Sequence, residues 1–167
     1  ILQRVNHYVF KDPVSLMKNV QRVTEHQHRA LKATGAPDAG RRALTLIPAR
    51  DGKVYHMDAA GNLWRVYVFI EDADTYDQMK DPAQAFEAAQ AFGEFQKQLV
   101  DLPGGPLFET IPDFHHTPKR FAALEKAIQA DAFNRAAEAQ AEINFAMANR
   151  KMTETLVEKH GQGLLPG

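Results

Sequence analysis

The order of the predicted elements constrains the fold of this chain more than any single motif does. A short strand at residues 1–5 is followed by a long amphipathic helix and then by three further strands. The acidic stretch 71–74 joins the last strand to a remainder with helical periodicity only. Successive strands joined by tight turns pair antiparallel. This order predicts an α+β fold with a small antiparallel sheet, one helix on the sheet, and then an all-helical part.

Helix starts are marked by a capping residue followed by proline, which needs no N–H in the first helical turn. Such pairs occur at Asp12-Pro13, Asp81-Pro82 and Thr117-Pro118. The first helix is expected to end near Thr34, before a glycine. Gln84 is expected to reach back to the N–H of Asp81 as in a capping box. The Ala-rich stretch 132–159 predicts one long final helix.

The three later strands are predicted at residues 44–49, 53–57 and up to about residue 70. Asp51-Gly52 is a strong hairpin signal between the first two. Together the three strands predict a meander. The last strand is apolar or aromatic on both faces except at Arg65, which is typical of a central strand.

Composition excludes several classes of function. The chain has 167 residues, a net charge of -1 and no cysteine. This charge gives no reason to expect nucleic acid or an anionic membrane as a partner. The lack of cysteine excludes disulfides and thiolate metal sites, and no apolar run approaches the roughly 20 residues that span a bilayer. We expect a cytoplasmic protein.

No motif in the chain is catalytic by itself. His26 and His28 do not share a helix face and His115-His116 are adjacent, so no metal site is predicted. The acids of residues 71–77 could serve acid–base chemistry, but a solvated loop is the preferred interpretation. Arg4 could touch phosphates or lie on the surface of an edge strand.

Several runs in the sequence resemble those of a known family. The runs are ILQRVN (1–6), WRVYVFIE (64–71), AFGEFQ (91–96), ETIPDFH (109–115) and TPKRF (117–121). Their order and intervals resemble the N-acetylhexosamine 1-kinases, within the aminoglycoside phosphotransferase and choline kinase-like superfamily. The resemblance implies a protein kinase-like fold. Residues 1–75 would be the remainder of the nucleotide lobe, and residues 76–167 the first helices of the helical lobe, ending before the catalytic loop.

This family transfers the γ-phosphate of ATP, with Mg²⁺, to the anomeric hydroxyl of an N-acetylhexosamine. The resemblance therefore implies that the chain is an internal part of a longer kinase, inactive alone, whose partners are ATP and a sugar. The oligomeric state stays open. One alternative is a phosphotransferase for another small alcohol, such as an aminoglycoside, choline or homoserine. Another is a non-catalytic module on the same scaffold; some related proteins are named mucin-desulfation-associated.

The resemblance also assigns roles to residues. The strand 1–5 corresponds to the third strand of the nucleotide lobe, where kinases keep a phosphate-binding Lys. Gln3 and Arg4 stand there instead, and Arg4 is the candidate replacement for the charge. The helix that follows resembles the kinase C-helix, whose Glu pairs with that Lys, and Glu25 is the acid in its later turns.

The end of the last strand resembles the kinase hinge. Phe69 takes the place of the gatekeeper. The backbone C=O of Ile70 and the N–H of Asp72 would then face the edge of adenine. The resemblance places no catalytic residue and no metal ligand in this chain.

Overall fold

A computed structural model describes residues 1–165 and has the predicted α+β class. The chain divides into two compact units, Ile1–Ile111 and Pro112–Gly167. The first unit contains β1 (Leu2–Arg4), α1 (Pro13–Ala33), α2 (Ala39–Arg42), β2 (Leu46–Ile47), β3 (His56–Met57), β4 (Leu63–Tyr67) and α3 (Pro82–Leu99). The second contains α4 (Thr117–Ala130), α5 (Gln140–Ala148), a 3₁₀ helix (Arg150–Glu154) and α6 (Thr155–Gly161).

Strand β4 is the centre of a fully antiparallel sheet. β1 pairs along one side of it, with Gln3 opposite Arg65. On the other side β2 and β3 follow one another end to end, with Ile47 opposite Val66 and His56 opposite Trp64. The antiparallel sheet is confirmed, but the predicted meander is wrong, because β2 and β3 pair with β4 and not with each other.

The loop between β2 and β3 explains this pairing. Pro48 follows β2 directly and has no N–H for a ladder. The N–H of Ala49 donates to the carbonyl of Lys53, and the carboxylate of Asp51 accepts from the N–H of Lys53. These local bonds close a turn, so the chain returns to β4 instead of extending a hairpin.

The two faces of the sheet have different neighbours. Leu63 packs with Met17 of α1 in the core, and Arg65 Nη1 lies 4.0 Å from the sulfur of Met17. Because side chains alternate along a strand, Trp64 and Val66 point to the opposite face. We call the face that carries Leu63 and Arg65, and that packs on α1, the helix-facing side of the sheet.

The caps confirm the predicted starts of α1 and α3, but the N-cap of α4 is His116 and not Thr117. The carboxylate of Asp12 accepts from the N–H of Ser15, and that of Asp81 accepts from the N–H of Gln84. The side chain of Gln84 reaches one residue further than expected, because its Oε1 accepts from the N–H of Lys80 at 2.8 Å. α1 ends at Ala33, close to the predicted residue.

Helix α1 is held by the loop that follows α3. The guanidinium of Arg22 donates to three backbone carbonyls of this loop: Pro103 at 2.7 Å, Pro106 at 3.3 Å and Gly105. Gly104 has a φ of 96° and its missing Cβ would lie 3.5 Å from Cζ of Arg22. A glycine at this point lets the backbone turn around the guanidinium.

Three more side chains of α1 reinforce this docking. The amide of Asn19 both donates to the carbonyl of Phe108 at 2.8 Å and accepts from its N–H at 3.0 Å. His26 Nε2 lies 2.8 Å from the carbonyl oxygen of Gln98, and Gln27 bonds to the side chain of the same residue. The position of α1 is therefore fixed by polar contacts with residues about 70–90 positions later in the chain.

The second unit contradicts the predicted long helix at 132–159. Asp131 and Asn134 adopt left-handed φ values of 34° and 52°. The carboxylate of Asp131 accepts from the backbone N–H groups of Arg135 and Ala136, which closes a turn where the Ala-rich pattern predicts helix. The remainder is divided among α5, the 3₁₀ helix and α6. Within residues 1–165, none of the helices has the length and apolar character needed to cross a bilayer.

Candidate functional site

The candidate site lies on the helix-facing side of the sheet, where Gln3 and Arg65 are cross-strand partners. Arg65 Nε donates to Gln3 Oε1 at 2.9 Å. The guanidinium also lies 5.8 Å from the ring centre of Tyr67 and touches the sulfur of Met17. A cation is thus held between the sheet and α1.

Arg65 is half-buried and has no acidic partner among the residues that the structure describes. A guanidinium carries five N–H donors. One of them bonds to Gln3, and a second faces sulfur, which is a weak acceptor. The remaining donors suit the oxygens of a carboxylate or phosphate.

Arg4 lies on the other side of the sheet. It is exposed and stands opposite Trp64 in the ladder, one residue out of phase with Gln3. Of the two residues that the resemblance offers for the phosphate-binding position, the structure places only Gln3 on the helix-facing side.

Glu25 is exposed on α1. Its carboxylate accepts from Nε2 of Gln21 at 2.8 Å, one turn earlier on the same helix. Within residues 1–165 it makes no ion pair, so the expected link between α1 and the phosphate-binding position is not formed through Glu25.

The predicted hinge is an open, irregular segment. The last bond that ties it to the sheet is from the N–H of Val68 to the carbonyl of Thr45. Phe69 follows with 62% of its surface exposed. Asp72 has a φ of 51°, which is uncommon outside glycine but more frequent for Asp and Asn. In the described part of the chain, neither the C=O of Ile70 nor the N–H of Asp72 makes a hydrogen bond.

The acids within and after the predicted hinge are all exposed, from Glu71 to Asp77. An exposed carboxylate gains none of the burial that tunes a general acid or base. The solvated-loop interpretation of this segment therefore agrees with its structure.

A cavity of about 320 Å³ lies on the face of the sheet opposite α1. Leu2, Trp64 and Val66 form part of its apolar wall, and His56 and Asp58 are at its polar part. Its lining includes β1, β3 and β4, so one wall of the cavity is the sheet face toward which Arg4 points.

Asp58 is a strong acceptor beside this cavity. Its carboxylate accepts from the indole Nε1 of Trp64 at 2.9 Å, and from the backbone N–H groups of Asn62 at 2.8 Å and Ala60 at 2.9 Å. The bond from Trp64, and then those from Asn62, lower the pKa of Asp58 from 3.8 to about 2. The carboxylate therefore organises the turn before β4 as an anion.

This shift predicts a pH dependence of stability. A carboxyl whose pKa is lower in the folded state stabilises the fold above its unfolded pKa, and this contribution is lost as pH falls from about 4 toward 2. We expect the free energy of unfolding of Asp58→Asn to fall less than that of the wild type over this pH range. Urea unfolding followed by fluorescence of Trp64, the single tryptophan, at intervals between pH 7 and pH 2 measures it.

Asp74→Asn, which changes an exposed acid after the hinge, is the matched control and should follow the wild-type profile. Because other carboxyl groups also affect stability in this pH range, the result is the difference between the stability–pH profiles of the wild type and Asp58→Asn. Parallel profiles of wild type and Asp58→Asn would contradict the assigned network.

Sequence reasoning noted Arg65 only as the polar exception in an apolar strand. Its partner became identifiable once the register placed Gln3 opposite it. Among residues 1–165, no three His, Asp or Glu side chains are close enough together to hold a metal ion. The chain matches no model of a known protein family.

Proposed function

We propose that this chain is part of a cytoplasmic, ATP-dependent small-molecule kinase that phosphorylates the anomeric hydroxyl of an N-acetylhexosamine. The chain would supply the adenine-binding hinge and part of the phosphate-binding surface. The described residues do not fit a Mg²⁺ site, so we assign metal binding and the catalytic loop to other parts of a longer protein.

One structural observation supports this proposal above the others. Strand β4 runs between β1 and the β2–β3 edge and continues directly into an open joint. At this joint the C=O of Ile70 and the N–H of Asp72 are not engaged by the described residues. One acceptor and one donor at this spacing match the edge of an adenine base, and the sequence runs that flank them resemble those of the sugar kinases.

The large apolar side chains that both units expose also support a role within a longer protein. Phe86 and Phe92 on α3 are 65% and 71% exposed, and Phe145 in the second unit is 72% exposed. Large exposed apolar patches mark interaction surfaces, and we assign these side chains to contacts with the rest of the longer protein.

The chemistry fits the parts that the chain offers. Phosphoryl transfer needs little covalent participation by the protein, because catalysis consists mostly of positioning and charge neutralisation. A hinge that fixes adenine and a cation near the phosphates are positioning groups. The acceptor sugar is assigned here from the resemblance of the sequence runs alone.

The test uses the intact longer protein with ATP, Mg²⁺ and N-acetylglucosamine or N-acetylgalactosamine. We expect ADP release together with loss of the reducing end of the sugar, since phosphorylation of the anomeric oxygen blocks it. The 167-residue chain alone, in the same assay, should release no ADP.

The outcomes separate the alternatives. ADP release with the reducing end of the sugar retained would mean that a hydroxyl other than the anomeric one accepts the phosphate. Turnover only with choline, homoserine or an aminoglycoside would assign the chain to another branch of the superfamily. An intact protein that binds no ATP would support the non-catalytic module and overturn the proposal.

A further inference from the structure

The helix-facing side of the sheet carries a cation that the family resemblance does not assign. Arg65 projects there beside Gln3, whereas Arg4 projects from the opposite face. We propose that Arg65, oriented by Gln3, binds the phosphate chain of ATP in place of the missing Lys. This inference rests on the proposed function, because it names the phosphate contact of the same nucleotide site.

The charge environment of Arg65 supports the assignment. A half-buried guanidinium has lost part of its hydration and is normally compensated by an acid. Arg65 has no such partner in the described residues, and its Nε is bonded to a neutral amide. An anionic ligand would supply the compensation.

The side chain at residue 3 matters because it decides whether the charge of Arg65 stays uncompensated. The Oε1 atom of Gln3 accepts from Nε of Arg65 and so fixes the plane of the guanidinium. An amide does this without cancelling the positive charge, whereas a glutamate in the same place would form an ion pair. Gln3 is therefore a positioning residue for the charge of Arg65.

The neighbours of Arg65 strengthen its attraction for phosphate. Met17 and the ring of Tyr67 flank the guanidinium and exclude water from part of it. Coulomb interactions grow as the local dielectric constant falls. Arg4, by contrast, is exposed, and its charge is screened by solvent.

The test measures binding of ATP and of adenosine to the intact protein by titration calorimetry. Arg65→Met keeps the aliphatic length and removes the charge, and should weaken ATP binding by about 10- to 100-fold, the range of a charged hydrogen bond. Adenosine has no phosphates, so its affinity should be unchanged. In turnover assays the KM for ATP should rise by a similar factor.

Gln3→Glu separates a binding role from a structural one. The new carboxylate would pair with Arg65, so thermal stability should be retained or raised while ATP affinity falls by at least about fivefold. A purely structural Arg65 would tolerate this change without any loss of ATP affinity. Arg29→Met, which removes an exposed arginine from α1, is the matched control for loss of one positive charge.

Arg4→Gln tests the competing assignment. If Arg4→Gln weakens ATP binding and both Arg65→Met and Gln3→Glu leave it unchanged, the inference is overturned but the proposed kinase function stands. Equal losses of ATP and adenosine affinity in Arg65→Met would also overturn it, because the contribution of Arg65 would then not depend on the phosphates. A wild-type protein that binds adenosine but not ATP would overturn the inference and the proposed function together.

Discussion

Truncation of Met17 to alanine is expected to destabilise the first unit by about 2–5 kcal/mol. Met17 has no exposed surface and packs between Val5 and Leu63, so it joins α1 to the sheet. The variant loses the transfer free energy of the side chain and leaves a cavity in a small core. Because Trp64 is the single tryptophan and lies in β4, its fluorescence during urea unfolding reports on this unit.

Met17→Leu provides the control. It conserves volume and should cost less than about 1.5 kcal/mol. A loss below 1 kcal/mol in Met17→Ala would mean that α1 does not depend on this contact, and the packing described for the sheet would be incorrect.

The second large effect is expected at Arg22. Arg22→Met removes three hydrogen bonds from a charged donor and leaves the carbonyls of Pro103, Gly105 and Pro106 without this partner. Because the site is only half-buried and water can reach the carbonyls, we expect a loss of about 2–4 kcal/mol and not the full sum of three buried bonds. Urea unfolding followed by Trp64 fluorescence measures it.

Arg29→Met is the matched control, since Arg29 is exposed on the same helix and should change stability by less than about 0.5 kcal/mol. Hydrogen exchange gives a second readout. Loss of the hydrogen bonds between Arg22 and the loop after α3 should increase amide exchange in the N-terminal half of α1 before global unfolding. Equal stabilities of the Arg22 and Arg29 variants would show that the loop does not hold α1.

The sequence predicted those parts of the fold that local chemistry determines. A capping carboxylate and the following proline act within one helical turn, so the starts of α1 and α3 were predicted at the observed residues. The run of apolar and aromatic residues on both faces of the strand near residues 64–70 correctly indicated a central strand. In each case the cause and its effect lie within a few residues of one another.

Other parts depend on contacts that are distant in sequence. Both edges of β4 are available for pairing, and no local pattern states which strand takes which edge. The β2–β3 hairpin was predicted from the local Asp51-Gly52 signal, which carries no information about pairing with β4. The break in the last helix has a local cause, the left-handed Asp131, but alanine-rich propensity outweighed it in the prediction.

The candidate site shows the same division. Resemblance assigned roles to the strand 1–5 and to residues 69–72, but it could not say which side chains share a face of the sheet. The cation beside Gln3 is 62 residues away in sequence and is identified by strand register. The contacts of Arg22 with the loop after α3 had no signal in the sequence, because a guanidinium recognises backbone carbonyls whatever side chains the loop carries.

The end-to-end arrangement of β2 and β3 makes the segment between them suitable for protein engineering. Each strand takes its alignment from β4, so residues added near Gly52 would not shift either of them. Gly52 already has a φ of 82° at an exposed turn. Loop closure entropy grows slowly with length. An epitope tag or a short peptide for fluorescent labelling could therefore be inserted at this turn to follow the first unit without altering the register of its sheet.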